Sequence, residues 1–419
     1  MIQKLVSSVQ RQVRSEDKRK VIVNFFFLGM ERLTQLVIII LINRMLINHY
    51  HLDDFSSWQY ALVVTSVFMT GTWICGSEVV IPRIIDNPDK LNLIFSNVIT
   101  LRFIVGLLIG VVMLLWGMLF SNGLARLYII GLSLSVVLRE TMIVGLTWFQ
   151  SQAQLKKPCL ILMAAAIIKF LVILVGMHFN VPIRYLWVAW VIESLLPCLF
   201  IFYIFKNATS FKFVKINQEI YTLLKLGFIV WCCLVMQQLT MKFDRIYLDG
   251  KVSGEFYSNY ASALQLVDNW YAICILFVQA IAPVFIFKYV RIEDIKTKLK
   301  FCILSTLFIT CFGALLTSVL SNYIIEIFYG DKLLLAGKYL AHFIWLTPFL
   351  ATDQLLSLIL IRINRTISIA IKWAIAFILT IVLVPTSYSF LGVNGILMSL
   401  MMIYTFNIVF SLWKIKHAR

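Results

Sequence analysis

The feature that most constrains this chain is a series of long apolar stretches separated by short polar segments. A helix needs about 20 apolar residues to cross the hydrocarbon core of a bilayer, and these stretches are about that long or longer. Only 14% of the residues are charged and 61% are hydrophobic, so a soluble fold would leave much apolar surface facing water. The chain is therefore predicted to be an all-α polytopic membrane protein. Soluble enzymes, disordered scaffolds and disulfide-stapled modules are excluded.

Hydropathy predicts about 12 transmembrane helices. The span that contains Pro283 is unusually long, and we expect it to be kinked, tilted or partly interfacial. The predicted spans are residues 21–43, 57–81, 93–120, 127–149, 159–178, 185–205, 222–248, 257–287, 301–320, 337–361, 367–385 and 393–413.

The spans divide into two halves of six. Residues 1–20 are basic and carry apolar residues at helical spacing, which predicts a cytoplasmic amphipathic N-terminal segment. The segment 206–221 mixes aromatic and aliphatic residues with lysines and is predicted to be a cytoplasmic interfacial linker. It separates an N-terminal six-helix bundle, 21–205, from a C-terminal six-helix bundle, 222–413. Residues 414–419 form a cytoplasmic tail.

A short pattern recurs in the two halves. Arg44 is followed by Phe55, and 201 residues further on Arg245 is followed by Phe256 at the same interval. A serine stands two residues after each phenylalanine. Because both halves begin on the same side of the membrane, the pattern indicates a duplicated transporter architecture with parallel repeats.

The basic residues fix the expected orientation. The net charge is +17, from 37 Lys and Arg against 20 Asp and Glu. The loops and span ends on the side of the termini hold 23 Lys and Arg, and those on the other side hold 6. The positive-inside rule therefore places both termini in the cytoplasm. This distribution accounts for most of the net charge, so we expect no nucleic-acid partner.

Fifteen charged residues lie within the predicted spans or at their edges. Each costs about 2.5–3.5 kcal/mol at the middle of a membrane, so these side chains must pair or face a hydrated cavity. The bases are Arg32, Arg102, Arg139, Lys169, Lys225, Lys242, Arg245 and Lys372, and the acids are Glu31, Glu78, Glu140, Glu193, Asp244, Asp268 and Asp353.

Position along each span separates these charges into groups. Asp268 and Asp353 have no basic sequence neighbour, and each either carries a coupling proton or pairs with a lysine of another helix. Lys225, Lys242, Arg245 and Lys372 lie near helix ends, where their heads can snorkel to the interface. The deeper bases either face a water-filled lumen, which we favour, or form structural salt bridges. They are Arg32, Arg102, Arg139 and Lys169.

The sequence contains no signature of an ATPase, a metalloprotease, a serine hydrolase or a potassium-channel filter. The eight cysteines lie in apolar runs without a histidine cluster and are interpreted as packing residues. We therefore expect no enzymatic activity, no metal site and no cofactor.

Three features carry a resemblance to a known family. They are Glu31-Arg32 inside the first span, Asp244-Arg245 in the seventh, and the aromatic segment GEFYSNYA at 254–261. In these features and in its topology, nearly the whole chain resembles the Wzx-type O-antigen flippases, which are polysaccharide exporters of the MOP superfamily.

The resemblance implies two six-helix bundles around a central lumen, with alternating access by rocking of one bundle against the other. It implies a substrate, an undecaprenyl-pyrophosphate-linked oligosaccharide, moved from the cytoplasmic to the periplasmic leaflet of the bacterial inner membrane. Membrane lipids, and a polymerase and chain-length regulator of the same pathway, are the further partners it suggests. It assigns substrate binding to Arg32, Arg102, Arg139, Arg245, Lys169 and Lys242, and ion coupling or charge pairing to Glu31, Glu140, Asp244, Asp268 and Asp353.

Two alternatives stay open. A MATE-type drug/cation antiporter of the same superfamily would favour an acidic lumen, whereas eight intramembrane bases stand here against seven acids. A polytopic O-antigen polymerase, which is an enzyme, would resemble chains with one large outer loop. No outer connection in this chain exceeds about 17 residues.

Overall fold

The protein is helical throughout the part of the chain that its structure, a computed structural model, describes. No strand occurs among the described residues. These are residues 2–74, 76, 80, 88–152, 154–208, 212–214, 217–282, 285–286 and 292–417.

Fourteen α-helices lie in these ranges. They are α1 (Ile2–His49), α2 (Leu52–Gly71), α3 (Leu91–Phe120), α4 (Gly123–Ser151), α5 (Lys156–His178), α6 (Trp187–Ala208), α7 (Gln218–Leu248), α8 (Gly254–Ala282), α9 (Ile292–Val319), α10 (Ser321–Tyr329), α11 (Leu335–Phe343), α12 (Leu346–Arg362), α13 (Thr366–Leu391) and α14 (Val393–Lys416).

The described helices confirm the all-α, multi-pass membrane fold. They provide ten spans that are long and apolar enough to cross a membrane by length and composition, and one of these, Leu335–Arg362, consists of α11 and α12. An eleventh span is formed if the two parts of α7, Gln218–Lys225 and Gly227–Leu248, which meet at 46°, count as one. The predicted span 57–81 corresponds to α2, which is not among the ten. Part of that span, including Glu78, lies outside the described residues.

One helix boundary differs from the predicted spans. Part of the span predicted to continue to residue 287 is described, as α8 (Gly254–Ala282), and residues 283–284 and 287 lie outside the described residues. At the other end of the chain, α1 runs unbroken from Ile2 to His49. No helix end marks the expected boundary after residue 20.

The chain forms two compact units. The first comprises Met1–Asn43 and Gly71–Gly227, and the second comprises Arg44–Thr70 and Phe228–Arg419. The end of α1 and almost all of α2 therefore group with the C-terminal helices, a grouping that the expected division at 206–221 does not include.

Close helix packing in the first unit depends on glycines. A Cβ atom at Gly110 of α3 would lie 2.7 Å from Val137 Cγ2 of α4. A Cβ atom at Gly131 of α4 would overlap the indole of Trp187, the first residue of α6. Because glycine lacks this atom, α3, α4 and α6 approach one another closely.

The described part of the linker after α6 is attached to the first unit. The backbone N–H of Lys212 donates to Ser96 Oγ at 3.0 Å, and that of Val214 donates to Thr100 Oγ1 at 3.1 Å. Both acceptors lie on α3, one turn apart. The polar side chains of α3 thus satisfy the backbone donors of Lys212 and Val214, two described residues that lie outside any helix.

In the second unit, α12 packs against α8, α9 and α14, and α13 packs along α14. The end of α1 is joined to the end of α10 by two basic side chains. Arg44 Nη1 donates to the carbonyl of Ile327 at 2.5 Å, and Lys332 Nζ donates to the carbonyls of Ile47 and Asn48 at 3.0 and 3.3 Å. Each cation thereby meets the unpaired carbonyls and the negative dipole end of a helix.

Candidate functional site

The first unit exposes two of the predicted substrate-binding arginines. Arg32 lies on α1, and its side chain is 64% exposed, with Nε 3.6 Å from Oε2 of the buried Glu31. Arg139 lies on α4, is also exposed, and acts electrostatically on the same Glu31 carboxylate. One buried acid thus lies beside Arg32 and within electrostatic reach of Arg139, which belongs to another helix. This group is called the arginine pair below.

The other predicted bases of the first unit are buried. Lys169 of α5 donates a 2.7 Å hydrogen bond to Glu193 Oε1 of α6 and lies 4.9 Å from the ring centroid of Trp190. Arg102 of α3 is also buried. For Lys169, the structure therefore provides the salt bridge that the sequence left as one of two alternatives.

The second unit brings Lys242, Arg245 and Asp268 together. Arg245 Nη1 of α7 donates to Asp268 Oδ2 of α8 at 2.6 Å, and Lys242 Nζ donates to the same oxygen. Lys242 and Arg245 lie three residues apart and so project from one face of α7. The structure thus pairs Asp268 with bases of another helix, one of the two alternatives predicted for it.

A second acid, Asp244, also lies beside Arg245. Asp244 Oδ1 lies 3.7 Å from Arg245 Nε, and Asp244 Oδ2 accepts a 2.5 Å hydrogen bond from the hydroxyl of Tyr260. Arg245 Nη2 also donates to the carbonyl of Met241 at 2.8 Å. The guanidinium therefore has partners besides Asp268. Sequence reasoning did not identify Tyr260 as part of this group.

Lys372 of α13 corrects one expectation. It was predicted to snorkel to the interface, but its side chain is fully buried. Its ammonium group donates to Asp353 of α12, to Ser357 Oγ at 2.8 Å and to Ser411 Oγ of α14 at 3.2 Å. Three acceptors match the three donors of an ammonium group, so this cation is satisfied inside the unit.

The remaining predicted residues divide as follows. Lys225 is exposed near the start of α7, as a snorkelling lysine would be. The side chain of Glu140 lies outside the described residues, although its backbone is helical. No group of His, Cys, Asp and Glu with the geometry of a metal site occurs among the described residues.

No protein-family model matches the chain, and no curated protein matches it in sequence. The lipid II flippase MurJ in an inward closed conformation matches with a TM-score of 0.73 and 17% identity, over 94% of this chain and 87% of that one. An inward-facing multidrug resistance MATE family transporter of the MOP superfamily gives a TM-score of 0.72 at 14% identity, over 92% and 98%. The eukaryotic MATE transporter AtDTX14 gives 0.67 at 12%, over 96% of both chains.

These similarities cover almost the whole chain and show that it has the fold of MOP superfamily transporters. The structures that it resembles are transporters and flippases, and none of the three is described as an enzyme. The chain accordingly shares the fold of these membrane transporters.

Proposed function

We propose that this protein is a flippase that moves an undecaprenyl-pyrophosphate-linked O-antigen or related polysaccharide repeat unit from the cytoplasmic to the periplasmic leaflet of the bacterial inner membrane. The transporter fold supports the general class, and one protein of that fold, MurJ, is a lipid II flippase. The observation that carries the substrate class is the exposed arginine pair, Arg32 and Arg139.

Both arginines lie inside helices that can span the membrane. At 1.5 Å per residue, Arg32 stands about 9 Å from the start of the span Phe26–His49, and Arg139 about 18 Å from the end of α4. An exposed guanidinium at such a depth is costly in hydrocarbon, so it is expected to face water. The pair therefore supports a hydrated path through the first unit.

A diphosphate suits this pair chemically. The planar fork of an arginine donates two parallel hydrogen bonds to phosphate oxygens, which a lysine cannot do. The sugar hydroxyls need the same path, because each costs several kcal/mol in hydrocarbon without a hydrogen-bond partner. The lipid tail remains in the bilayer.

The proposal is tested by replacing the arginine pair in the host cell. Arg32→Ala and Arg139→Ala should each lower surface polysaccharide at least tenfold and leave single lipid-linked units on the cytoplasmic face, while the protein still inserts. Lys225→Ala, which removes an exposed base of the same unit, is the matched control and should change surface polymer less than twofold. Normal polymer in both arginine variants would contradict the proposal.

A MATE-type drug/cation antiporter is the second candidate, supported by the fold similarity to two MATE transporters. In that case Glu31 rather than the arginines would bind the substrate. Deletion of the gene would then sensitise cells to cationic drugs and leave lipid-linked sugars unchanged. In the proposed function the protein is not an enzyme, so single units already on the outer face after deletion would point instead to a polymerase.

A further inference from the structure

In the second unit, the carboxylate of Asp268 lies over two cations. Its Oδ2 accepts from both Lys242 Nζ and Arg245 Nη1, and its Oδ1 lies 3.5 Å from Arg245 Nη2. The Asp268 side chain is 23% exposed, whereas those of Lys242 and Arg245 are 11% and 4% exposed. The acid is therefore the most exposed member of the group.

Arg245 does not depend on Asp268 alone for its position. Arg245 is also fixed by the carbonyl of Met241 and lies beside Asp244, which Tyr260 in turn anchors. Arg245 Nε and Asp244 Oδ1 are both buried without a hydrogen-bond partner. If Asp268 turned away, a pocket with two cations and one acid would remain. Such a pocket is stable only with another anion in it, because an unpaired buried charge is strongly destabilising.

We propose that Asp268 holds the position of a phosphate group in the substrate-free protein, and that the diphosphate headgroup binds Lys242 and Arg245 by displacing it. This inference rests on the proposed function, since it takes the diphosphate of the substrate as the incoming anion. A phosphate and a carboxylate both accept paired hydrogen bonds from a guanidinium, so one can replace the other with little rearrangement. The buried cations are therefore compensated both before and after the exchange.

The contact of Asp268 with both cations also limits the affinity of the site for the diphosphate. An anion that must displace a tethered carboxylate binds more weakly than it would bind the open pocket, by the fraction of time that the pocket is open. Lys242 and Arg245 are therefore predicted to be substrate-binding residues only in the displaced state. Asp268 is a positioning residue that controls their access, and it does not itself touch the substrate.

The test uses inorganic pyrophosphate and the purified full-length protein in detergent, with binding measured by calorimetry. Asp268→Asn keeps the shape and removes the charge, and it should bind pyrophosphate at least tenfold more tightly than the unmodified protein. The double variant Asp268→Asn/Lys242→Met should lose this gain. Asp331→Asn, which removes the charge of an exposed aspartate of the same unit, is the matched control and should change affinity less than twofold.

Equal affinities of Asp268→Asn and the unmodified protein would overturn the inference, as would a gain that persists in the double variant. Asp268→Ser also removes the charge and gives the same comparison if the asparagine variant does not fold. The outcome is separable from the proposed function. If Asp268→Asn binds pyrophosphate tenfold more tightly but deletion of the gene leaves lipid-linked sugars unchanged, the exchange is supported and the flippase function is contradicted. If the affinity does not change but deletion traps lipid-linked units on the cytoplasmic face, the flippase function is supported and the exchange is contradicted.

Discussion

Replacing Lys372 by methionine should destabilise the second unit severely. The substitution keeps the apolar stem but removes an ammonium group that donates to Asp353, Ser357 and Ser411. Asp353 is left buried with its charge uncompensated. Breaking a buried ion pair in this way costs about 3–5 kcal/mol.

The loss of folding free energy is similar if Asp353 becomes neutral. If Asp353 takes up a proton instead of remaining charged, protonating an ordinary aspartate at pH 7 costs about 4 kcal/mol. The two serines add less. Ser357 Oγ already donates to the carbonyl of Asp353 at 2.8 Å, so the hydroxyl loses only an incoming hydrogen bond. We therefore expect a loss of about 3–4 kcal/mol for Lys372→Met at pH 7. The loss should decrease as the pH is lowered, because protonation of Asp353 then costs less.

The assay is equilibrium unfolding of the purified protein in mixed micelles, with Lys225→Met as the control. Lys225 is exposed, and its substitution should cost less than about 0.5 kcal/mol. The double variant Lys372→Met/Asp353→Asn should regain most of the lost stability, because it removes both charges together. A Lys372→Met variant as stable as Lys225→Met would refute the buried ion pair.

Three further predictions concern packing, a helix end and topology. Gly131→Ala would force a Cβ atom into the indole of Trp187 and should lower stability by about 1–3 kcal/mol, measured by thermal unfolding in detergent; an unchanged midpoint would contradict this packing. Lys332→Ala removes a cation from the last carbonyls of α1 and should cost about 0.3–1 kcal/mol, with faster amide hydrogen exchange in that turn as the readout. Reporters fused within 288–300 and 321–336 should lie on opposite sides of the membrane, and same-side signals would contradict the twelve-span topology.

The membrane helices could be predicted because hydropathy is averaged over a whole span. Ten spans among the described residues have lengths and compositions that satisfy this criterion. The averaging fails for α2, because Asp53 and Asp54 in its first turn lower the mean hydropathy of a helix that is only 20 residues long. Hydropathy says nothing about which helices pack together. The grouping of residues 44–70 with the C-terminal helices therefore had no counterpart in the sequence.

The partners of the buried charges were harder to predict, because they lie on other helices. The position of Lys372, six residues after the start of α13, favoured snorkelling. A finer pattern indicates the opposite: Ser368, Lys372, Ala376 and Thr380 are four residues apart and form a stripe of small and polar residues on a helix that is otherwise strongly apolar. All four are buried. Such a stripe is typical of a face packed against other helices in a membrane, and it would have placed Lys372 inside the unit.

Under the proposed exchange, Asp268 controls the order of events at Lys242 and Arg245. Lys242 and Arg245 accept an anion only after Asp268 has left them. Asp268 remains tethered beside these cations and competes for them again, which keeps binding reversible. A pair of buried cations without such an acid would either be unstable when empty or hold the diphosphate too tightly to release it.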